Sequence, residues 1–271
     1  MSAENKKAKI TVPEIIKMKQ NGEKVTMLTA YDALMAEIID VAGTDIILVG
    51  DSGGMVMGGK ENTLSVTMDE MVFYTKSVSR GVQNALLVAD MPFLSYQVST
   101  EKAIENAGRF LQEACAEAVK IEGGEIMAET ISRLVSLGIP VMGHLGLTPQ
   151  SMHQLGGFKI QGTKSKSAES LLKDAKILEE AGAFSIVLEK IPAKLAKEIS
   201  DSISIPTIGI GAGAGCDGQV LVTQDMLGIF RKFKPKFVRR YAELGDEIEK
   251  SCRAYIKDVK NSSFPSENES Y

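Results

Sequence analysis

The sequence predicts an α/β protein, a single (β/α)8 TIM barrel with its active site at the C-terminal ends of the strands. Short runs rich in Val, Ile and Leu alternate with longer segments of helical periodicity, which is typical of parallel β-α-β units. The chain has 271 residues, a length that suits one barrel of about 250 residues. No GxGxxG segment follows the first apolar run, so an open dinucleotide-binding sheet is disfavoured.

Seven apolar runs are predicted to be strands, and a weaker eighth completes the barrel. In chain order they are 25–29 (VTMLT), 45–49 (DIILV), 86–89 (LLVA), 117–121 (EAVKI), 140–143 (PVMG), 185–188 (SIVL), 205–210 (IPTIGI) and the weaker 219–222 (QVLV). Helices are predicted at 33–41, 69–80, 100–116, 125–137, 168–181, 193–201 and 236–257. Two of them follow good N-cap sequences, STE at 99–101 and SAE at 167–169.

One domain is predicted over residues 1–260, because no linker rich in Pro, Gly or Ser divides the chain. The remaining residues, 261–271 (NSSFPSENESY), form a polar tail that is predicted to be mobile. The barrel therefore accounts for nearly all of the chain.

Composition argues against several classes of function. The net charge is −4 and no Lys/Arg cluster is longer than a pair, so we expect no nucleic-acid partner. No apolar run approaches the roughly 18 residues of a membrane span. The three cysteines, Cys115, Cys216 and Cys252, lack metal-ligand spacing and are typical of reduced thiols in a cytoplasmic protein. The presence of only two histidines excludes a three-histidine zinc site.

Six polar residues share one placement, at or close to the C-terminal end of a predicted strand. Because all these ends open on one face of a barrel, the side chains are expected to meet at its mouth. A single Asp after a strand is more often the N-cap of the next helix, and a strand lysine can point outward. Six such residues together are better explained by a site. They are Asp51, Asp90, Lys120, Glu122, His144 and Glu189.

Carboxylates without histidine partners favour a hard cation, above all Mg²⁺. Asp51, Asp90 and Glu122 are therefore the predicted metal anchors. A 2-oxo acid offers two adjacent oxygens to such a metal. Chelation polarises the ketone, eases proton removal from the neighbouring carbon and stabilises the enolate. The residues thus predict enolate chemistry on a small 2-oxo acid.

A base must take that proton, and Glu189 is the best candidate because an apolar strand carries it. An ion pair with Lys190 is the alternative. It is less favoured because consecutive strand residues point to opposite faces. His144 suits a hydrogen bond to a substrate carboxylate and a purely structural role equally well.

Eight segments in order across the chain resemble those of the ketopantoate hydroxymethyltransferase family. A chance match of this breadth is not plausible, and it is more specific than any one motif. The segments are TAYDA (29–33), LVGDSGGMVMGG (48–59), NTLSVTMDEM (62–71), LLVADMPFLSY (86–96), AVKIEGG (118–124), VMGHLGLTPQS (141–151), VLEKIP (187–192) and IGIGAGAGCDGQVLV (208–222).

The resemblance implies transfer of a hydroxymethyl group from 5,10-methylenetetrahydrofolate to 3-methyl-2-oxobutanoate through a Mg-stabilised enolate. The product would be 2-dehydropantoate, an intermediate of pantothenate and coenzyme A biosynthesis. The resemblance also implies a homo-oligomer, a decamer by analogy with the family. Its partners would be the two small-molecule substrates.

The resemblance also carries roles to matching residues. Asp51 and Asp90 would bind the metal and the substrate, and Glu122 is counted with the metal site. Ser52 and Lys120 would contact the 2-oxo acid, a role that composition alone does not suggest for either residue. Glu189 would be the proton acceptor, and His144 is retained as a substrate-binding candidate.

Two departures from the family pattern leave the reaction class unchanged. Gly53 stands where the family usually has Leu, which predicts a looser turn beside Asp51. Gln224, in VTQDMLG, stands where His or Tyr is common.

Two other functions are compatible with such a barrel. One is a Mg-dependent 2-oxo acid lyase or mutase of the phosphoenolpyruvate/isocitrate-lyase type, whose usual KKCGH-like cysteine loop is missing from the sequence. The other is a non-catalytic scaffold, which predicts loss of site residues, whereas every proposed one is present.

Overall fold

Eight parallel strands close into a barrel in the computed structural model, which describes residues 8–231 and 234–271. Each strand pairs with the next along the chain, and the last pairs with the first. This confirms the predicted closed barrel and makes the weak eighth run a true strand. The strands are β1 (Val25–Thr29), β2 (Ile46–Val49), β3 (Leu86–Asp90), β4 (Ala118–Glu122), β5 (Val141–Gly146), β6 (Ser185–Glu189), β7 (Thr207–Ile210) and β8 (Gly218–Leu221).

Helices fill most of the predicted intervals between strands. They are α1 (Val12–Gln20), α2 (Ala33–Val41), α3 (Gly53–Val56), α4 (Met68–Val78), α5 (Thr100–Ala114), α6 (Ala128–Ser136), α7 (Met152–Leu155), α8 (Ser165–Glu180), α9 (Ala193–Ser202), α10 (Thr223–Met226) and α11 (Leu244–Lys260). Short 3₁₀ turns lie at Glu125–Met127, Pro149–Ser151 and Glu267–Glu269.

The helices α3, α7 and α10 were not predicted. Two further differences from the predicted helices have local causes. The predicted helix 236–257 begins only at Leu244. Acidic residues in the first turn of α11 favour a helix N-terminus there, whereas Arg239 and Arg240 would oppose one earlier. The second difference is α1, which was not predicted although Thr11 and Glu14 form a capping box at its start.

The side chains of each strand alternate between two apolar layers. Leu86 and Val88 of β3 belong to the cluster inside the barrel, while Leu87 and Ala89 belong to the cluster beneath the helices. The next residue, Asp90, therefore points inward at the top of the strand. The same alternation turns the final polar residues of β4, β5 and β6 toward the barrel axis.

The N-terminal face of the barrel, its floor, is covered by α1. Ile15 is fully buried in the inner cluster. Lys19 Nζ donates to the carbonyl oxygens of Ser200 at 2.7 Å and Ile205 at 3.0 Å, and pairs with Asp217 Oδ2 at 2.9 Å. Because these partners precede β7 and β8, α1 closes the end opposite the strand C-termini.

The barrel unit ends at Leu221, and Val222–Tyr271 form a second compact unit. Within that second unit, Arg231 pairs with Asp246 at 2.7 Å and Glu249 at 2.6 Å near the start of α11. Gln224 lies in α10. One domain over 1–260 and a mobile tail at 261–271 stay predictions. In the part of the chain that the structure describes, no helix is both long enough and apolar enough to cross a bilayer.

Candidate active site

The predicted site residues meet at the open mouth of the barrel. The five that are buried come from the ends of four neighbouring strands, β2 to β5. Ser52 follows β2 and is half-buried, as is Glu189 at the end of β6. The buried ones are Asp51, Asp90, Lys120, Glu122 and His144.

Asp51 and Asp90 lie side by side where β2 and β3 end. The backbone N–H of Asp51 donates to Asp90 Oδ2 at 3.1 Å. A Cβ at Gly50 would lie 2.6 Å from Ser52 Oγ, so a larger residue here would displace the Ser52 hydroxyl. The N-caps of the following helices are Ser52 and Ser99, which excludes helix capping as the role of the two aspartates.

Lys120 points into the barrel rather than outward between barrel and helices. Its Nζ lies 3.1 Å from Asp90 Oδ1 and 3.2 Å from His144 Nδ1. Burial opposes its charge, but the neighbouring carboxylates of Asp90, Glu122 and Asp51 raise the pKa of Lys120 overall. The site therefore holds one fixed ammonium group among its carboxylates.

His144 lies between two carboxylates. Its Nδ1 is 3.3 Å from Glu122 Oε1, and its Nε2 is 3.4 Å from Glu189 Oε2. Burial and the charge of Lys120 lower the pKa of His144, but its contacts with Glu122 and Glu189 raise it overall. The imidazole thus touches the predicted proton acceptor on one side and a predicted metal anchor on the other.

Ser52 is held by a buried tyrosine that sequence reasoning missed. The hydroxyl of Tyr31 lies 2.8 Å from Ser52 Oγ, and burial raises the pKa of Tyr31. A Cβ at position 53 would lie 2.7 Å from Tyr31 Cδ1. The ring therefore packs directly against Gly53, and the turn beside Asp51 is closely packed rather than loose.

Gln150 and Tyr96 are two further buried residues that sequence reasoning missed. Gln150 Nε2 donates to Asp51 Oδ2 at 3.0 Å, and its backbone N–H donates to Glu122 Oε2 at 3.0 Å. The hydroxyl of Tyr96 donates to Gln150 Oε1 at 2.8 Å. The sequence feature that could have identified them is their position within two of the segments that resemble the family, 86–96 and 141–151.

The donor set of this site fits a hard divalent cation. Burial, then the charges of Asp90 and Glu122, raise the pKa of Asp51 to about 8, and burial also raises that of Asp90. Asp90 Oδ1 is buried without a hydrogen bond from any described residue, its ion pair with Lys120 apart. An added positive charge would relieve this crowding of carboxylates.

The described residues contain no group of three or more His, Cys, Asp or Glu side chains arranged to hold a metal directly. Glu122 accordingly directs its two oxygens at Gln150 and His144. The arrangement suits a cation bound by few protein oxygens, with water and substrate supplying the rest, as Mg²⁺ prefers.

The sequence is similar to known proteins over its whole length. It matches the family described as ketopantoate hydroxymethyltransferase over residues 9–267. It is 58% identical over 271 residues, 100% of both chains, to 3-methyl-2-oxobutanoate hydroxymethyltransferase of Syntrophus aciditrophicus. It is also 60% identical over 261 residues to the Clostridium botulinum protein of the same name, covering 96% of this chain and 95% of that one.

Two solved structures share the fold at much lower sequence identity. A phosphonopyruvate hydrolase, solved with oxalate and Mg²⁺, superposes with a TM-score of 0.61 at 11% identity, over 96% of this chain and 93% of that one. A 2,3-dimethylmalate lyase superposes with a TM-score of 0.59 at 16% identity, over 94% and 89%. These likenesses establish the barrel fold alone.

Proposed function

The chain belongs to the ketopantoate hydroxymethyltransferase family, and from that premise we propose that it transfers a hydroxymethyl group to 3-methyl-2-oxobutanoate. It is an enzyme of the transferase class. We further propose that 5,10-methylenetetrahydrofolate donates the one-carbon unit and that 2-dehydropantoate is the product. The observation that carries this proposal is the buried pair Asp51–Asp90 at the mouth of the barrel. Glu189 ends β6, which lies across the closed barrel from β2.

The proposed metal is Mg²⁺, held by Asp51 and Asp90 with Glu122 beside them. When bound, Mg²⁺ polarises the ketone of a chelated 2-oxo acid and so makes the proton on the neighbouring carbon easier to remove. The shared burial of the two aspartates and their raised pKa values support this assignment.

The remaining side chains bind the 2-oxo acid and move its proton. Lys120 supplies a fixed positive charge for the substrate oxygens, and Ser52 supplies a hydroxyl. Glu189 accepts the proton from C3. C3 then forms the carbon–carbon bond with the methylene carbon of the folate donor. Both bonds from that carbon to folate nitrogens break, water supplies the hydroxyl oxygen, and tetrahydrofolate leaves. His144 contacts the Glu189 carboxylate at 3.4 Å, which supports a role in orienting it or in binding the substrate carboxylate.

A lyase or mutase of the phosphoenolpyruvate/isocitrate-lyase type is the weaker alternative. Its support is the common barrel, at 11–16% identity to the two solved structures. The relatives at 58% and 60% identity are both named as hydroxymethyltransferases. Turnover of isocitrate-like substrates without folate would favour the alternative.

We also propose a cytoplasmic location and a homo-oligomer, a decamer by analogy with the family. Three unpaired cysteines support the location. The exposed apolar side chains of Leu34, Ile38 and Val41, at helical spacing along α2, support self-association. Sedimentation velocity of the purified protein measures the stoichiometry directly.

Deuterium exchange at C3 of 3-methyl-2-oxobutanoate tests the proposed chemistry without folate. In D₂O with Mg²⁺, we expect the C3 proton signal to disappear in NMR spectra, because removal of this proton precedes carbon–carbon bond formation. EDTA should stop the exchange and renewed Mg²⁺ should restore it. Normal metal binding without exchange would show that the proposed function is wrong.

A further inference from the structure

The side-chain amide of Gln150 has its orientation fixed by its neighbours. Its Oε1 accepts from the Tyr96 hydroxyl at 2.8 Å and from Gln97 Nε2 at 3.0 Å. The Tyr96 oxygen also accepts the backbone N–H of Glu122 at 3.1 Å. The other acceptor within reach of its proton, the Glu122 carbonyl oxygen, lies farther away, at 3.3 Å. A flipped amide would place Oε1 against the carbonyl oxygen of Met91, which cannot donate, and would lose the hydrogen bond to that carbonyl.

Because Oε1 faces these donors, the NH₂ group faces acceptors on the other side. Gln150 Nε2 donates to Asp51 Oδ2 at 3.0 Å and to the carbonyl oxygen of Met91 at 3.0 Å. The backbone N–H of Gln150 donates to Glu122 Oε2 at 3.0 Å. Gln150 is buried, with 6% of its surface exposed. It contacts the carboxylates of Asp51 and Glu122, which are two of the three predicted metal-site carboxylates.

We propose that Gln150 is a positioning residue for the divalent-cation site and that Tyr96 sets the direction of its amide. By occupying Oδ2, Gln150 fixes the rotation of the Asp51 carboxylate. A neutral donor does this without adding a positive charge that would compete with the cation. The inference rests on the proposed function, because it assumes that Asp51 binds the metal.

Groups that orient metal ligands from behind typically change metal affinity by about 10- to 100-fold when removed. Gln150→Met keeps the length of the side chain but removes its hydrogen bonds. Tyr96→Phe keeps the ring but removes the hydroxyl that orients the amide. Gln219→Met is the matched control, because its Nε2 bonds to the carbonyl oxygen of Gly213 and to no site carboxylate.

The experiment titrates each purified protein with Mn²⁺, as a substitute for Mg²⁺ that takes the same oxygen ligands, and follows free Mn²⁺ by electron paramagnetic resonance. We expect Gln150→Met to raise the Kd at least tenfold, Tyr96→Phe to raise it at least threefold, and Gln219→Met to change it less than twofold. The Mg²⁺ concentration that half-saturates C3 deuterium exchange should shift in parallel. Thermal unfolding of the metal-free proteins reports whether each variant is folded.

A folded Gln150→Met protein with a Kd within threefold of the parent would overturn the proposal. If that variant does not fold, Tyr96→Phe decides by the same comparison, since it leaves the amide in place. A parent protein that binds no Mn²⁺ or catalyses no exchange would instead overturn the proposed function. The two failures are therefore distinguishable.

Discussion

Nε2 of His144 lies 3.4 Å from Oε2 of Glu189, while Nδ1 of the same ring lies 3.3 Å from Oε1 of Glu122. One imidazole therefore joins the proposed base to a carboxylate of the proposed metal site. The strand register brings this about, because His144 is paired with Glu122 across β4 and β5, and Glu189 ends the next strand.

Glu189→Gln tests the base. The amide keeps the shape of the side chain but cannot accept a proton, so C3 exchange should fall by about 10²–10⁴-fold. The Kd for the 2-oxo acid, measured by calorimetry, should stay within about threefold of the parent value, because the proposed binding groups, Lys120 and Ser52, are unchanged. Glu198→Gln, on the exposed face of α9, is the control. Exchange at the parental rate would assign the proton transfer to another residue.

Tyr31→Phe tests whether the Tyr31 hydroxyl positions Ser52 for the 2-oxo acid. The change removes the 2.8 Å contact with Ser52 Oγ but keeps the ring against Gly53. A lost hydrogen bond is worth about 1 kcal/mol, so the KM for the 2-oxo acid in the exchange assay should rise about fivefold, with kcat changing less. Tyr74→Phe is the matched control, since Tyr74 packs edge-on against Tyr31 at 6.2 Å. Equal KM values in all three proteins would contradict the assigned role.

Asp40 should make stability depend on pH. It accepts hydrogen bonds from the backbone N–H groups of Asn84 at 2.9 Å and Ala85 at 2.7 Å, which immediately precede β3. Burial opposes its charge, but these bonds lower the pKa of Asp40 overall. Its contribution is therefore complete above the unfolded-state pKa of about 3.9 and is lost as the pH falls through the lower folded-state pKa.

Asp40→Asn removes this contribution. At pH 7 the free energy of unfolding should fall by about 1–3 kcal/mol, and urea titrations at lower pH should show the difference from the parent narrowing below about pH 4. A difference that stays constant between pH 7 and pH 3 would contradict a role for the ionised carboxylate.

Lys19→Met tests the closure of the barrel floor. The substitution keeps the apolar stem but removes the contacts with Ser200, Ile205 and Asp217. Because the carboxylate and two carbonyl oxygens lose their cation, the free energy of unfolding should fall by about 1–3 kcal/mol. Lys17→Met, on the exposed side of α1, should change it by less than about 0.5 kcal/mol. Equal losses in the two variants would mean that these contacts contribute nothing specific.

Gly81→Ala tests the close packing of α2 on the segment after α4. A Cβ at position 81 would collide with the carbonyl oxygen of Ala33 and lie 2.9 Å from the backbone nitrogen of Glu37. Because α2 must move away, we expect the free energy of unfolding to fall by about 1–3 kcal/mol, as measured by urea denaturation. Gly108→Ala, in α5, meets no atom within 4 Å and should be neutral or stabilising by up to about 1 kcal/mol. A tolerated Gly81→Ala change would show that α2 shifts freely.

The barrel can be predicted from the sequence because the patterns that specify its strands and helices are local. Apolar runs alternate with helical segments, and strand alternation alone is enough to turn Lys120 inward once the end of β4 is known. The polar residues at strand ends could be found for the same reason: position along a strand determines the face to which a side chain points.

The residues that support the site could not be found in this way. Tyr96 and Gln150 lie after β3 and after β5, in a loop and a 3₁₀ turn, and they meet the carboxylates only through the closed barrel. Tyr31 precedes α2, far along the chain from Ser52. No periodicity places such residues, because their partners are set by tertiary contacts between loops.

The floor formed by α1 also determines how the protein can be attached to a surface. Lys9 bonds to the carbonyl oxygen of Ala85 and pairs with Glu117 at 2.8 Å, both at the strand starts. The chain therefore enters the barrel on the side away from the mouth. A biotin or affinity tag linked ahead of Lys9 would immobilise the enzyme with its site facing the flowing solution, whereas random coupling through surface lysines would block a fraction of the sites.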